Sequence, residues 1–386
     1  MANFDKIIDR KKTHALKLER YKKYENAVNM WVADMDFKSP KCITKALKKR
    51  INHEVFGYTV IDEDTKQTIK TFLKKRHNYK IENSHIAFTS GVVASMNIVC
   101  NMFGKKDSVV IVKPIYPYFF TTPKHFGQKV ISVNMKNINN RWMFDFDELE
   151  SKIDKTCRLL FICNPHNPGG TVFTKEELLK IGEIAIKHNL IICSDEIHSD
   201  LVLDKDVKHI PIASLSDKIA QRTITLMAPS KTFNIAGLQS SFAIIENKEL
   251  MDKFVNSMGH INGGVNLLGI EATRAAYKYG EKWLEELLEY LRENLKIVEN
   301  FISKNPKLKL LKCEATYLAW IDCSELKTDA YKLFLDNGVV LNEGKSFGDG
   351  GENFVRLNFG TSRKTLLKAL NRMQIALRSC DKAFQK

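Results

Sequence analysis

The sequence predicts an α/β protein: a large domain with a mostly parallel sheet covered by helices on both faces, plus a smaller α+β domain. Three observations carry this. Short apolar runs rich in Val, Ile and Leu recur between residues 86 and 245, helical patterns separate several of them, and the texture changes near residue 280. With 386 residues the chain also exceeds the size at which one core stops growing, about 250–300 residues. Two cores are expected.

Residues 1–50 are polar apart from "MWVADMDF" (30–37), where apolar residues run into two aspartates without helical period. That stretch reads as a loop or short extended segment packed on something else. A helix is expected through "DEDTKQTIKTFLKKRHN", then a strand in "HIAFTSG" and a helix in "VVASMNIVCNMF", the first βα unit. Further strands are expected at "SVVIVKP" (108–114), "RLLFICNPH" (158–166), "LIICSDE" (190–196), "TITLMAPSK" (223–231) and "SSFAII" (240–245). From 280, "GEKWLEELLEYLRENLKIVENFISKN" reads as one long amphipathic helix, followed by strands in "KLKLLKCEATYLAWIDC" and "FVRLNFG". The expected division is an N-terminal arm and part of the small domain at 1–50, a large domain at 51–280 and a small C-terminal domain at 281–386.

Composition narrows the function classes. A hydrophobic share of 44% with 27% charged residues belongs to a folded globular chain and argues against disorder. The net charge of +15 comes from lysines scattered among glutamates, so no nucleic-acid partner is expected. "KALKKR" (45–50) reads as a solvated helix face. The 8 cysteines form no C-x-x-C pair, and several sit in apolar runs, as reduced core residues of a cytoplasmic protein do. Without an apolar signal core or a run of about 18 apolar residues, neither secretion nor membrane insertion is expected.

In open α/β sheets ligands sit beyond the carboxyl ends of the strands, and the unusual residues gather there. Ser90 and Gly91 end a strand and open a helix, so the amides near Gly91, Val92 and Val93 can receive a phosphate; a glycine turn kept for backbone reasons reads the same way. "CNPHNPGG" (163–170) is a tight loop whose asparagine amides can donate to a ligand, or a self-capping turn. "SDEIHSD" (194–200) places Asp195, Glu196 and His198 after a buried run, where they can cap a helix or hold a cation, although the spacing is poor for zinc and no metal is expected. Lys231 in "APSKTFNIAGL" can snorkel to solvent, or lie desolvated with a lowered pKa and form a Schiff base. The conjunction of phosphate turn, asparagine loop, aspartate and lysine on one sheet edge describes a pocket for pyridoxal 5'-phosphate.

These stretches, in this order, resemble the fold-type I pyridoxal-phosphate enzymes of the aspartate aminotransferase superfamily across nearly the whole chain. "WVADMDF", "FGYT", "CNPHNPGG", "SDEIHSDL" and "PSKTFNIAGL" are most similar to the MalY/PatB group of cystathionine β-lyases and cysteine C–S lyases. The resemblance implies that Lys231 holds the cofactor covalently and moves the Cα proton, while Asp195 pairs with the pyridine nitrogen. It further implies that Asn167 bonds the phenolic oxygen, that Tyr116 stacks on the ring, and that Val92, Val93 and Ser230 meet the phosphate. Arg356 would clamp the substrate carboxylate opposite Ala33, with Asn167 beside it. Tyr58 would reach the neighbouring subunit's cofactor phosphate, which implies a homodimer with shared sites. His198 would sit near the cofactor.

Two departures from the aminotransferase pattern, Gln239 in place of a phosphate-binding arginine and His198 in place of a tyrosine, agree with the lyase group. The implied reaction is β-elimination from a sulfur amino acid, giving pyruvate, ammonia and a thiol. The alternatives are a class I aminotransferase and a cofactor-holding regulator acting through a protein partner.

Overall fold

The structure, a computed structural model, describes residues 2–259, 261 and 264–384. Its main sheet has 7 strands in the spatial order Ile86–Thr89, Ser241–Ile244, Thr223–Met227, Ile191–Asp195, Cys157–Cys163, Ser108–Lys113 and Lys129–Asn134. Only Ser241–Ile244 runs against its neighbours.

The pleat explains why the inner runs are apolar throughout. Val109, Ile111, Leu159 and Phe161 face one side and pack with Met96, Val99 and Phe119 from the helices Val92–Asn101 and Tyr118–His125. Val110, Val112, Leu160 and Ile162 face the other and pack with Leu178, Ile181 and Ala185 of the helix Lys175–Lys187. A strand covered on both faces cannot alternate polar with apolar residues.

Three details differ from the expectation. The run at 223–231 stops being strand at Met227, and Lys231 sits in the short helix Pro229–Thr232; Pro229 has a backbone suited to the first helical turn and unsuited to a central ladder. "SSFAII" turns back antiparallel, placing Phe242 opposite Met227 and Ser241 opposite Thr89. The edge strand Lys129–Asn134 was not expected; its mixed burial hides it among polar residues.

A second sheet of 4 antiparallel strands follows, in the order Lys309–Leu310, Leu318–Asp322, Phe354–Asn358, Asn342–Glu343. The helix Glu281–Ser303 buries Leu284, Leu287, Leu291, Leu295 and Val298, a stripe at helical spacing. The N-terminal arm joins this part of the molecule, because Val28–Asn29 pairs in parallel with Val339–Val340. "MWVADMDF" is accordingly packed, with Met30, Trp31, Met35 and Phe37 all buried. All 8 cysteines are free thiols, and Cys42 and Cys380 alone are not fully buried. Among the described residues no helix is long and apolar enough to cross a membrane.

Candidate active site

The sheet register brings the sequence motifs to one edge. Cys163 is opposite Asp195, Asp195 is opposite Leu226, and Ser241 is opposite Thr89. The "CNPHNPGG" loop, Asp195, the helix bearing Lys231 and the Ser90–Gly91 turn therefore emerge side by side. Buried hydroxyls fix that turn, since Thr89 Oγ1 lies 2.6 Å from both Ser95 Oγ and Ser241 Oγ. Val92–Asn101 starts directly after Gly91, where a built Cβ meets nothing within 4 Å, so the turn leading into the first amides, those of Val92 and Val93, is open on that side. Ser230 is half-buried in the lysine helix.

Asp195 is buried, and its Oδ1 accepts from the Ile197 amide at 3.1 Å. Burial pushes its carboxyl up to about 7, against the pull of Lys231. Loss of hydration, then the charge of Arg356, brings the Lys231 ammonium down to about 8. Its Nζ donates to the Ala33 carbonyl at 2.7 Å. This pairing brings the arm into the site.

Arg356, in the middle of Phe354–Asn358, is buried and held from several sides. It donates to Asn167 Oδ1 at 2.6 Å, Asn342 Oδ1 at 2.7 Å and the Trp31 carbonyl at 3.2 Å, and its guanidinium lies 4.8 Å from the centre of the Phe347 ring. Burial lowers its pKa to about 10, and its Nε has no partner. Because Asn167 Oδ1 accepts from Arg356, the Asn167 Nδ2 donor is turned away from the arginine. Tyr116 is half-buried with its ring 5.3 Å from that of Tyr118, and burial raises its hydroxyl pKa. His198 is buried with its Nδ1 unpartnered; burial, then the charges of Lys231 and Arg356, push it down to about 3, so it is neutral. Tyr58 stands apart, fully exposed beside the exposed Val55, Phe56 and Val60.

Several residues are not evident from the motifs. Asn358 Nδ2 donates to the Val32 and Asp34 carbonyls at 2.6 and 2.7 Å, and Asn234 Nδ2 donates to the Met35 and Phe37 carbonyls at 2.8 and 2.9 Å. Tyr317 Oη donates to the Ala33 carbonyl at 3.0 Å. Within the arm, Arg10 bridges Asp34 and Asp36 at 2.6 and 2.9 Å, and Lys17 reaches Asp36 at 2.9 Å. The available signal was position: Asn234 lies three residues after Lys231 and Asn358 two after Arg356. Glu196 turns away from the site to His209, 2.8 Å away, and Asp200 accepts from Thr232 Oγ1 at 3.0 Å, steadying the residues next to Asp195 and Lys231.

Residues 25–373 match the aminotransferase class I and II family. The chain belongs to that family. It is 40% identical to cystathionine β-lyase PatB of Bacillus subtilis, over 97% of this chain and 100% of that protein. Among solved structures, cystalysin from Treponema denticola, which contains a pyridoxal 5'-phosphate cofactor, is 35% identical with a TM-score of 0.95, covering 98% of this chain and 99% of that one. The PLP-bound C–S lyase from Staphylococcus hominis is 33% identical with a TM-score of 0.91, covering 98% of both chains.

The residues of this class I and II family member suit a cationic ring carrying a phosphate. Asp195 is a buried carboxylate whose raised pKa marks an insufficient counter-charge, and a ring N–H⁺ would supply it. The open helix start suits an anion. No group of three or more His, Cys, Asp or Glu side chains among the described residues is arranged to hold a metal.

Proposed function

We propose that this chain is a pyridoxal-phosphate-dependent carbon–sulfur lyase that eliminates a thiol from cystathionine, cysteine or a related sulfur amino acid, leaving pyruvate and ammonia. One observation carries the cofactor reading: Asp195 ends its strand opposite Leu226, and Lys231 follows that neighbouring strand on the same sheet edge, with the lysine amine brought down to about 8 and the buried aspartate raised to about 7. The names of PatB as a cystathionine β-lyase and of the Staphylococcus hominis protein as a C–S lyase support the sulfur substrate.

Bound pyridoxal phosphate supplies the electron sink. Lys231 gives the amine for its attachment and, once free, takes the substrate's Cα proton at Nζ, a task suited to an amine that is partly neutral near pH 8. Asp195 holds the ring-nitrogen proton, Asn167 Nδ2 donates to the phenolic oxygen, and Tyr116 covers the ring. The amides of Val92 and Val93, with Ser230, hold the phosphate. Arg356 receives the substrate carboxylate in two-pronged fashion, with the backbone of Ala33 opposite and His198 neutral at the margin. We assign residues 51–280 to a large cofactor-holding domain, and 281–386 with the arm at 1–50 to a smaller one.

We further infer that two copies of the chain share their sites through Tyr58, whose exposed segment is apolar. Mixing equal amounts of Tyr58→Phe and Lys231→Ala chains should restore about a quarter of the wild-type activity, because about half of the pairs are mixed and each mixed pair regenerates one intact site of two; absence of any recovery counts against sharing.

Product analysis tests the reaction. Purified protein given cystathionine or cysteine should release pyruvate without an added keto acid, and transfer to a keto-acid acceptor should be at least about a hundredfold slower, roughly 2.7 kcal/mol of barrier. Acceptor-dependent transfer with no pyruvate from any sulfur amino acid would make this an aminotransferase.

A further inference from the structure

Five consecutive arm carbonyls, from Trp31 to Met35, accept from side chains outside the arm: Arg356, Asn358, Lys231 with Tyr317, Asn358 again and Asn234. Asn358 and Asn234 have no other duty in the proposed chemistry. Arg356 and Lys231 do. The arm is thus seated partly by groups that must leave it.

At Ala33 the conflict is sharpest, and a second donor is already in place. The carbonyl has two lone pairs, taken by Lys231 Nζ at 2.7 Å and Tyr317 Oη at 3.0 Å. Tyr317 is only 1% exposed, its backbone is fixed by the Phe359 amide donating to its carbonyl at 2.9 Å, and a Cβ built on Gly360 would come within 3.3 Å of its ring. Its ring meets that of the neutral His198 in a T-shaped arrangement, with ring centres 6.2 Å apart. Such a side chain cannot wander, and burial keeps its hydroxyl protonated as a donor.

We propose that Tyr317 is a positioning residue that keeps the Ala33 carbonyl paired, and the Trp31–Asp36 arm seated, whenever Lys231 Nζ leaves that carbonyl for the cofactor. This rests on the proposed attachment of the cofactor at Lys231. Condensation of Nζ with the cofactor aldehyde expels one water and leaves the nitrogen at most one hydrogen. Tyr317 is then the remaining side-chain donor to Ala33. The two donors are redundant before loading and not after it.

Redundancy has a signature that simple packing lacks, and Tyr317→Phe keeps the ring while removing only the O–H. In cofactor-free protein, Tyr317→Phe and Lys231→Ala alone should each leave amide exchange across residues 30–37 within about twofold of wild type, while the double variant exchanges at least about tenfold faster. With cofactor bound, Tyr317→Phe alone should show the tenfold acceleration and bind pyridoxal phosphate about tenfold more weakly, equivalent to about 1.4 kcal/mol. Additive behaviour in the cycle, or equal acceleration with and without cofactor, would reduce Tyr317 to a packing role and overturn the inference. Unchanged exchange in both the double variant and the loaded Tyr317→Phe protein would do the same, showing that water replaces the hydroxyl. A wild-type protein with no borohydride-reducible link at Lys231 would defeat the functional reading alone, because the cofactor-free cycle still decides the role of Tyr317.

Discussion

The sheet edge and the arm contribute to the same site in opposite ways. The edge supplies side chains: Lys231, Asp195 and Asn167 project from strand ends and tight loops whose backbones are locked by the ladder. The arm supplies backbone: its carbonyls reach the site, and its own charged side chains, Asp34 and Asp36, point back to Arg10 and Lys17. A rigid sheet can present chemistry through single residues because hydrogen bonds already fix its main chain. The arm, laddered through Val28–Asn29 and otherwise tied by single backbone bonds at Met30 and Asp36, relies between those points on side chains from elsewhere to fix it. Damage at the edge should therefore strike the chemical step, and damage at the arm should strike binding and stability.

The largest effect expected is at the edge. Lys231→Ala should remove the covalent cofactor link and lower kcat by at least about a thousandfold, roughly 4 kcal/mol of barrier, read as pyruvate formation together with the loss of borohydride-reducible cofactor. Asp195→Asn should retain cofactor yet slow Cα proton removal by about a hundredfold in single-turnover measurements, since an amide cannot hold the ring-nitrogen proton. Unchanged rates would disconnect Asp195 from the chemistry.

Between the two regions stands Arg356, which is tied to both Asn167 and Trp31. Arg356→Lys should lower kcat/KM by about thirtyfold, some 2 kcal/mol, mostly through KM, because an ammonium cannot make the two-pronged contact. Asn358→Ala should act on the arm and on the neighbouring turn, where the Gly360 amide donates to Asn358 Oδ1 at 2.7 Å, and leave the sheet edge untouched. Losing its bonds to Val32 and Asp34 is expected to cost about 2 kcal/mol of stability at about 1 kcal/mol each, with KM raised and kcat nearly unchanged. A kcat loss as large as that of Asp195→Asn would erase the contrast between edge and arm.

The smallest effect is a pH slope. Lys231 falls from 10.5 to about 8 in the folded chain, so between those values the unfolded state binds the extra proton and stability rises with pH. The change in denaturation midpoint of cofactor-free protein from pH 8 to pH 10 should be more positive in wild type than in Lys231→Met, where this contribution is absent. Equal slopes would mean that Nζ is ordinarily solvated.

Much of the edge was legible because each motif couples a local backbone rule to a chemical group. "LIICSDE" announces a buried strand and then a carboxylate, and "CNPHNPGG" announces a turn that can only be tight; Gly170, at φ 74 with its Cα side against Cys313, sits where a side chain would be strained. The arm was legible only as a packed segment. Nothing local in "MWVADMDF" says that its carbonyls, more than its aspartates, face the site, and nothing in "CEATYLAW" marks Tyr317 from other core tyrosines.

By itself, then, the sequence determined the doubly covered sheet, the edge on which chemistry could occur, and the lysine and aspartate at its strand ends, because burial periodicity and turn chemistry act over a few neighbouring residues; Arg356 was implied only by the family resemblance. Tertiary structure alone decided that Lys231 meets Ala33, that Arg356 orients Asn167, and that Tyr317 shares a carbonyl with the lysine. Those pairings join residues 198, 284 and 189 positions apart. Their partners are backbone oxygens and amides that every residue, or every asparagine, carries alike, so only the folded path of the chain could choose among them.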